Sequence, residues 1–178
     1  MWRYALPLLV VIALGVLLFQ GIGRDPSTLP SPLIDHPVPA FELGTLADPS
    51  VRVSQQDLLG EPYLLNVFAS WCATCHLEHP VLRAFAEEGV TRLIGLNWKD
   101  QPDDAKRWLI RAGDPYALIL ADESGAVGID LGVYGTPETF LIDANGVIRF
   151  KHVGELTDAV IEREIRPRLL AWSDAAAP

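Results

Sequence analysis

Cysteine occurs only twice in this chain of 178 residues, as Cys72 and Cys75. One such pair falls short of the two separated ligand pairs that structural zinc sites commonly use. Methionine occurs once, at Met1, so the usual methionine partner of a c-type haem iron is missing. Cations are scarce as well: 14 Lys and Arg stand against 23 Asp and Glu, for a formal net charge of −9. Nucleic-acid binding is dominated by cations meeting phosphates, so this balance argues against it. The chain shows no long run of one charge, no repeat, and no low-complexity tract before a short SDAAAP tail at 173–178. Its length suits one domain.

What is present begins with an apolar N-terminus. Between Arg3 and Arg24, residues Tyr4 to Gly23 carry no charge. About 20 helical residues reach roughly 30 Å, the hydrocarbon thickness of a bilayer. Pro7 lies near the start of the run, where a helix tolerates it best. The expectation is a membrane anchor over 1–23. A cleaved signal peptide is the alternative, because Gly21-Ile22-Gly23 has the small-x-small form of a cleavage site. Either reading exports the rest, and Arg3 weakly favours a cytoplasmic N-terminus. Residues 24–36 contain Pro26, Pro30 and Pro32 among small polar residues, which predicts an extended linker. The folded domain is expected over 37–172.

Alternating patterns run through that domain. Tyr63 to Ala69 is almost continuously apolar after a Gly60-Glu61-Pro62 turn, which predicts a strand buried on both faces. Leu77, Val81, Leu82 and Phe85 then recur at helical spacing up to Gly89, with a kink expected at Pro80. Residues 91–98 read as a strand, and Pro102 opens a helix that buries Ala105, Trp108, Leu109 and Ala112. Residues 116–121 read as a strand and 124–131 as a short helix. Asn145-Gly146 between two apolar runs predicts a hairpin. Thr157 is a candidate cap for a closing helix that buries Ile161, Ile165 and Leu169, with Leu156 and Ile161 as a staple. Strands separated by helices, then a hairpin, predict an α/β fold with a central mixed sheet.

The cysteines fall where the first long strand turns into a helix, in WCATCHLEHP at 71–80. Three chemistries fit that stretch. Cys72-Ala73-Thr74-Cys75-His76 matches a covalent haem attachment site, with His36 or His152 as a substitute second ligand. His76 and His79 with the cysteines form a conceivable zinc set, although all four crowd onto one helix. The third chemistry is dithiol exchange. A helix N-terminus has unpaired N–H groups and the positive end of the dipole, which favour a thiolate. Cys72 can attack a partner's disulfide, and Cys75, one turn further on, can resolve the mixed disulfide. An inert structural bridge is disfavoured, because so short a loop gains least from closure. The plain reading of His76 and His79 is surface or groove residues without a ligand role. Glu78 and Glu138 would ordinarily be solvated carboxylates, and Thr136-Pro137 an ordinary trans turn.

NVFASWCATC, followed some way on by GVYGTPETFLID with GLNWKDQPDDAKRWL between, resembles the thioredoxin superfamily. More narrowly, it is similar to the membrane-anchored thiol:disulfide interchange proteins of cytochrome c maturation (the CcmG/DsbE family). The resemblance covers roughly residues 35–170. It implies a thioredoxin fold behind an N-terminal transmembrane helix. It implies that Cys72 is the exposed nucleophile and Cys75 the buried resolving thiol, with Trp71, Ala73 and Thr74 around them. It implies a cis bond at Thr136-Pro137, a partner groove at Tyr134 and Gly135, and acids Glu78 and Glu138 near the disulfide. The implied activity is that of a periplasmic reductant on the bacterial inner membrane. Its implied partners are apocytochrome c and the haem-ligation machinery. Electrons would come from a membrane thiol transporter of the DsbD or CcdA type. No metal and no cofactor beyond the cysteine pair is implied. Ala73 departs from the family's usual Pro, and Trp98 from its usual Tyr; the first bears on redox strength.

Overall fold

The computed structural model describes residues 2–22 and 31–176, and side chains over 5–19 and 31–172. Its elements run α1 (Trp2–Ile22), β1 (Glu42–Thr45), β2 (Arg52–Ser54), a 3-10 turn (Gln55–Leu58), β3 (Tyr63–Phe68), α2 (Ala73–Glu88) and β4 (Arg92–Trp98). They continue with α3 (Pro102–Ala112), β5 (Leu118–Asp122), α4 (Ala126–Asp130), β6 (Glu138–Ile142) and β7 (Ile148–Val153). The chain closes with α5 (Asp158–Val160), a π-type stretch (Ile161–Ile165) and α6 (Arg166–Ala176). Along α1, the described side chains from Ala5 to Phe19 are all exposed. Among the described residues, no helix is long and apolar enough to cross a membrane.

The strands form one seven-stranded sheet in the order β2-β1-β5-β4-β3-β6-β7. Strands β3, β4 and β5 are parallel, while β1, β6 and β7 join antiparallel. This is the expected mixed sheet. Strand β3 lies near its middle and is buried at every position. Alternation along β3 sends Leu64 and Phe68 into one core, with α2, α3 and the closing helix, and Tyr63, Leu65 and Val67 into the other. Asn66 shares the face of Leu64 and Phe68, so the one polar residue of β3 points at α2.

Several expectations need correcting. The first hairpin, β1 and β2, is absent from the sequence reading; its strands are short, and β2 keeps an exposed edge. Residues 31–36, expected in an extended linker, form a turn docked on the domain. Leu33 and Ile34 pack on the second core, Asp35 pairs with Arg149 at 2.8 Å, and the Asp35 N–H donates to Ile148 O. Linker residues 24–30 lie outside the described residues. The closing helix runs through most of the expected tail to Ala176, and only 177–178 lie outside. Pro80, where a kink was expected, lies inside α2. Leu77, expected on its buried face, is 65% exposed, while Glu78 beside it is fully buried. The hairpin turn closes as expected, with Gly146 at φ 78° and its N–H donating to Asp143 O. Thr157 caps α5 through its side chain.

Gly95 on β4 sits beneath the rings that floor the site. Phe68 and Tyr116 stack there with centroids 4.9 Å apart. A Cβ at position 95 would lie 2.9 Å from Phe68 and 3.1 Å from Tyr116. Gly95→Ala is therefore expected to destabilise the protein by about 1–3 kcal/mol through overpacking. Urea unfolding checks this; an unchanged midpoint contradicts the packing argument.

Candidate active site

The site grows from the end of β3. After Phe68 the chain leaves the sheet through Ala69, Ser70 and Trp71, and Cys72 becomes the N-cap of α2. Cys72 and Cys75 are joined in a disulfide with Cα atoms 5.3 Å apart. Cys72 Sγ accepts the Cys75 N–H at 3.0 Å. One free donor of the helix end thus points at the sulfur, as the N-terminal placement requires. Cys72 was expected to be exposed, yet in the disulfide form it is 5% exposed and Cys75 1%. Exposed residues flank them in the chain, Trp71 at 58% and Leu77 at 65%, and Tyr134, in the loop before β6, is 60% exposed. Ala73 is exposed and Thr74 half-buried.

Val67 pairs with Glu138 across β3 and β6. The preceding residue on β6's chain, Pro137, therefore lies at the same sheet end as Phe68 and the loop to the cysteines. Thr136-Pro137 is cis, against the ordinary trans reading of the dipeptide and as the resemblance implies. Thr136 and Gly135 are half-buried, and Pro137 is buried.

The two acids are both fully buried, not solvated, and they lie on opposite sheet faces. Glu78 is on α2, one turn beyond Cys75 and on the same side. Its Oε1 accepts from Asn66 Nδ2 at 2.9 Å and its Oε2 from the Leu156 N–H at 2.7 Å. Asn66 also donates to Thr139 Oγ1 and accepts from the Tyr116 hydroxyl at 2.7 Å. Burial raises the Glu78 carboxyl to about 7, against the Leu156 N–H and Asn66, which lower it. Burial, and next the Glu78 charge, push the Tyr116 hydroxyl well above its ordinary range, so it stays a donor. Glu138 faces the other way. Its Oε2 meets Lys151 Nζ at 2.8 Å and its Oε1 accepts the Tyr134 N–H at 3.2 Å. Lys151 also donates to Gly132 O and sits 4.6 Å from the Tyr134 ring centre. Glu138 and Lys151 thus brace the loop that carries Tyr134 and the cis peptide. Tyr134 and Lys151 further line a cavity of about 420 Å³ with Pro32, Leu33 and Ile129.

The histidines separate the rival chemistries. His76 stacks on Trp108 at 5.0 Å with its Nε2 2.9 Å from Ser70 O. His79, expected at the surface, is 4% exposed, with its Nε2 2.8 Å from Gly113 O. Burial holds its imidazole below the ordinary value, against the Gly113 carbonyl. His36 Nδ1 and His152 Nε2 are engaged with the carbonyls of Ile34 and Glu155. Among the described residues no cluster of three or more His, Cys, Asp or Glu is placed to hold a metal ion. Sequence reasoning missed Asn66, Tyr116, Thr139 and Lys151. Only Asn66 carried a signal, as a lone amide in an apolar run.

Such a disulfide, at a helix N-terminus beside a cis-proline strand, can accept two electrons from a dithiol and, once reduced, pass them to a partner disulfide. Solved structures agree on the fold. MTB DsbF, in its mixed oxidized and reduced forms, aligns with TM-score 0.62 and 26% identity over 74% of this chain and 93% of that one. The thioredoxin domain of a Bacteroides vulgatus thiol-disulfide oxidoreductase aligns with TM-score 0.61 and 22% identity, over 78% and 99%. The protein is a thiol-disulfide oxidoreductase of thioredoxin-like fold. The Redoxin family model matches residues 34–165. The thiol:disulfide interchange protein DsbE of Allochromatium vinosum is 47% identical over 93% of this chain and 91% of its own. That of Escherichia coli K12 is 45% identical over 97% and 96%. The chain belongs to the DsbE family of the thioredoxin superfamily.

The raised Glu78 value has a measurable consequence. The folded protein holds this proton more tightly than the unfolded chain. The stability it contributes is complete below about pH 4.5 and is lost as pH rises to about 7. The loss amounts to about 3 kcal/mol. Denaturant unfolding of the oxidised protein from pH 4 to 8 should show that decline, and Glu78→Gln should flatten it. An equal decline in both proteins contradicts the assignment.

Proposed function

We propose that this protein is a reductant of cytochrome c maturation, acting in the periplasm on apocytochrome c and the haem-ligation machinery. The observation that carries the reading is the buried Glu78 on the face of Cys75. A carboxylate there opposes thiolate formation by like charge. A reduced form with destabilised thiolates is a stronger electron donor, the converse of the oxidant DsbA, whose reduced form is stabilised. The helix dipole favours the Cys72 thiolate by about 0.3–1 kcal/mol, so it selects the attacking sulfur without reversing that bias. Glu78 also supplies a base of suitable strength for the Cys75 proton. Glu138, committed to Lys151, serves instead to hold the Tyr134 loop.

The exchange balances in two steps. The Cys72 thiolate attacks one sulfur of a partner disulfide; a mixed disulfide forms, and the other partner sulfur leaves as thiolate and takes a proton. Cys75 gives its proton to Glu78 and attacks Cys72; the Cys72–Cys75 bond forms and the second partner thiol is released. The partner leaves with two electrons. The exposed Trp71, Leu77 and Tyr134 offer an apolar rim for its chain, with Gly135 and Thr136 between. No cofactor beyond the cysteine pair is needed. The uncharged run from Tyr4 to Gly23 in the sequence is what supports a single-pass anchor in the inner membrane, and an oxidising periplasm requires recharging by a membrane thiol transporter of the DsbD or CcdA type.

The test is a trap. Cys75→Ser in the whole chain, mixed with an oxidised C-x-x-C-H peptide, should accumulate a mixed disulfide through Cys72. The complex should survive denaturant and be released by dithiothreitol. A complex that denaturant alone dissolves would contradict reduction and mark a non-covalent holdase.

A further inference from the structure

We infer that Asp100 is a positioning residue for the attack by Cys72, acting through Ser70. The inference rests on Cys72 being the attacking thiol. Asp100 lies in the turn between β4 and α3, far along the chain from the cysteines, yet it is 5% exposed and its carboxylate collects four donors. Oδ2 accepts the Ser70 N–H at 2.6 Å and Asn97 Nδ2 at 2.9 Å. Oδ1 accepts the Ser70 hydroxyl at 2.9 Å and the Gln101 N–H at 2.9 Å. An ionised carboxylate is the acceptor-only group that such a set of donors requires.

The neighbouring contacts grip the same loop. The Trp71 indole N–H donates to Lys99 O at 3.0 Å. Lys99 itself is held in the left-handed region at φ 48°, with its N–H on Asp122 O at 3.0 Å. A lysine in that region is uncommon and costs free energy, so the surrounding contacts must hold it there. The Ser70 carbonyl faces His76 Nε2 on α2. Ser70 is therefore engaged through its N–H, its hydroxyl and its carbonyl, and Trp71 through its indole. These two residues are the link from the rigid strand β3 to Cys72. Asp100 and Lys99 set where that link lies and hence where the Cys72 sulfur points. A displacement of about 1 Å at a reacting atom costs up to about a hundredfold in rate.

The experiment uses the whole chain with Cys75→Ser, so that Cys72 is the sole thiol. The probe is glutathione disulfide: the Cys72 thiolate forms a mixed disulfide with one glutathione and the other leaves as thiolate. Rates are taken at the high-pH plateau, where the Cys72 thiol is fully ionised, which separates positioning from thiol ionisation. Asp100→Ala should slow the attack about tenfold or more at 25 °C while near-UV circular dichroism shows an intact fold. The deficit should vanish in guanidinium chloride, where nothing positions the loop. Asp100→Asn, nearly isosteric, should fall between the two and decides the matter if Asp100→Ala does not fold. A folded variant within twofold of its parent overturns the inference, as does a deficit that persists in denaturant. A merely structural role would lower the melting temperature and leave the rate alone. If Cys75→Ser alone fails to react, the nucleophile assignment falls first, and the inference with it.

Discussion

Asn66 and Glu78 join the middle of the sheet to the helix that carries the cysteines, and the rest of the site is arranged around that bond. An amide and a carboxyl buried in an apolar core are costly unless every polar atom finds a partner. Here Tyr116, Thr139 and the Leu156 N–H complete the set. The network reaches α2, β3, β6, the approach to β5 and the loop before the closing helix. It therefore fixes the angle at which α2 leaves the sheet. The location of Cys75 above this network follows from helical spacing, and its chemistry from the carboxyl one turn below.

The two buried acids divide the work. Helical spacing on α2 turns Glu78 toward Asn66 on the sheet face that the cysteine helix covers, and parity along β6 places Glu138 on the opposite face. Glu138 meets a cation there; a buried pair of this kind contributes little net stability, but removing one member costs about 3–5 kcal/mol. Its role is to keep the loop from Gly132 to Glu138 in place. Glu78 meets no cation within its network, only hydrogen-bond donors, so burial decides its titration. Glu78 is free to exchange a proton near neutral pH, while Glu138 forms an ion pair with Lys151.

Much of this was legible in the residues. The buried strand Tyr63–Phe68, the helix behind the cysteines, the Asn145-Gly146 hairpin and the Thr157 cap all rest on local patterns that the tertiary structure keeps. The β1–β2 hairpin was not legible, because short strands at a sheet edge leave little periodicity. The helical spacing that placed Leu77 inside was misleading: the buried face of α2 is rotated by one position to take Glu78 and His79. Burying them is possible only because Asn66 and Gly113 wait across the core, and no pattern along α2 reveals partners on other elements. Lys151 and Asp100 were invisible for the same reason.

The central claim is that the Cys72–Cys75 pair is a strong electron donor. Its most direct test is a redox titration of the whole chain in graded dithiothreitol ratios, with alkylation and intact mass reporting the reduced fraction. The account predicts a midpoint near or below that of thioredoxin, about −270 mV. A midpoint near about −120 mV, where DsbA lies, would contradict it and assign the same fold to disulfide formation.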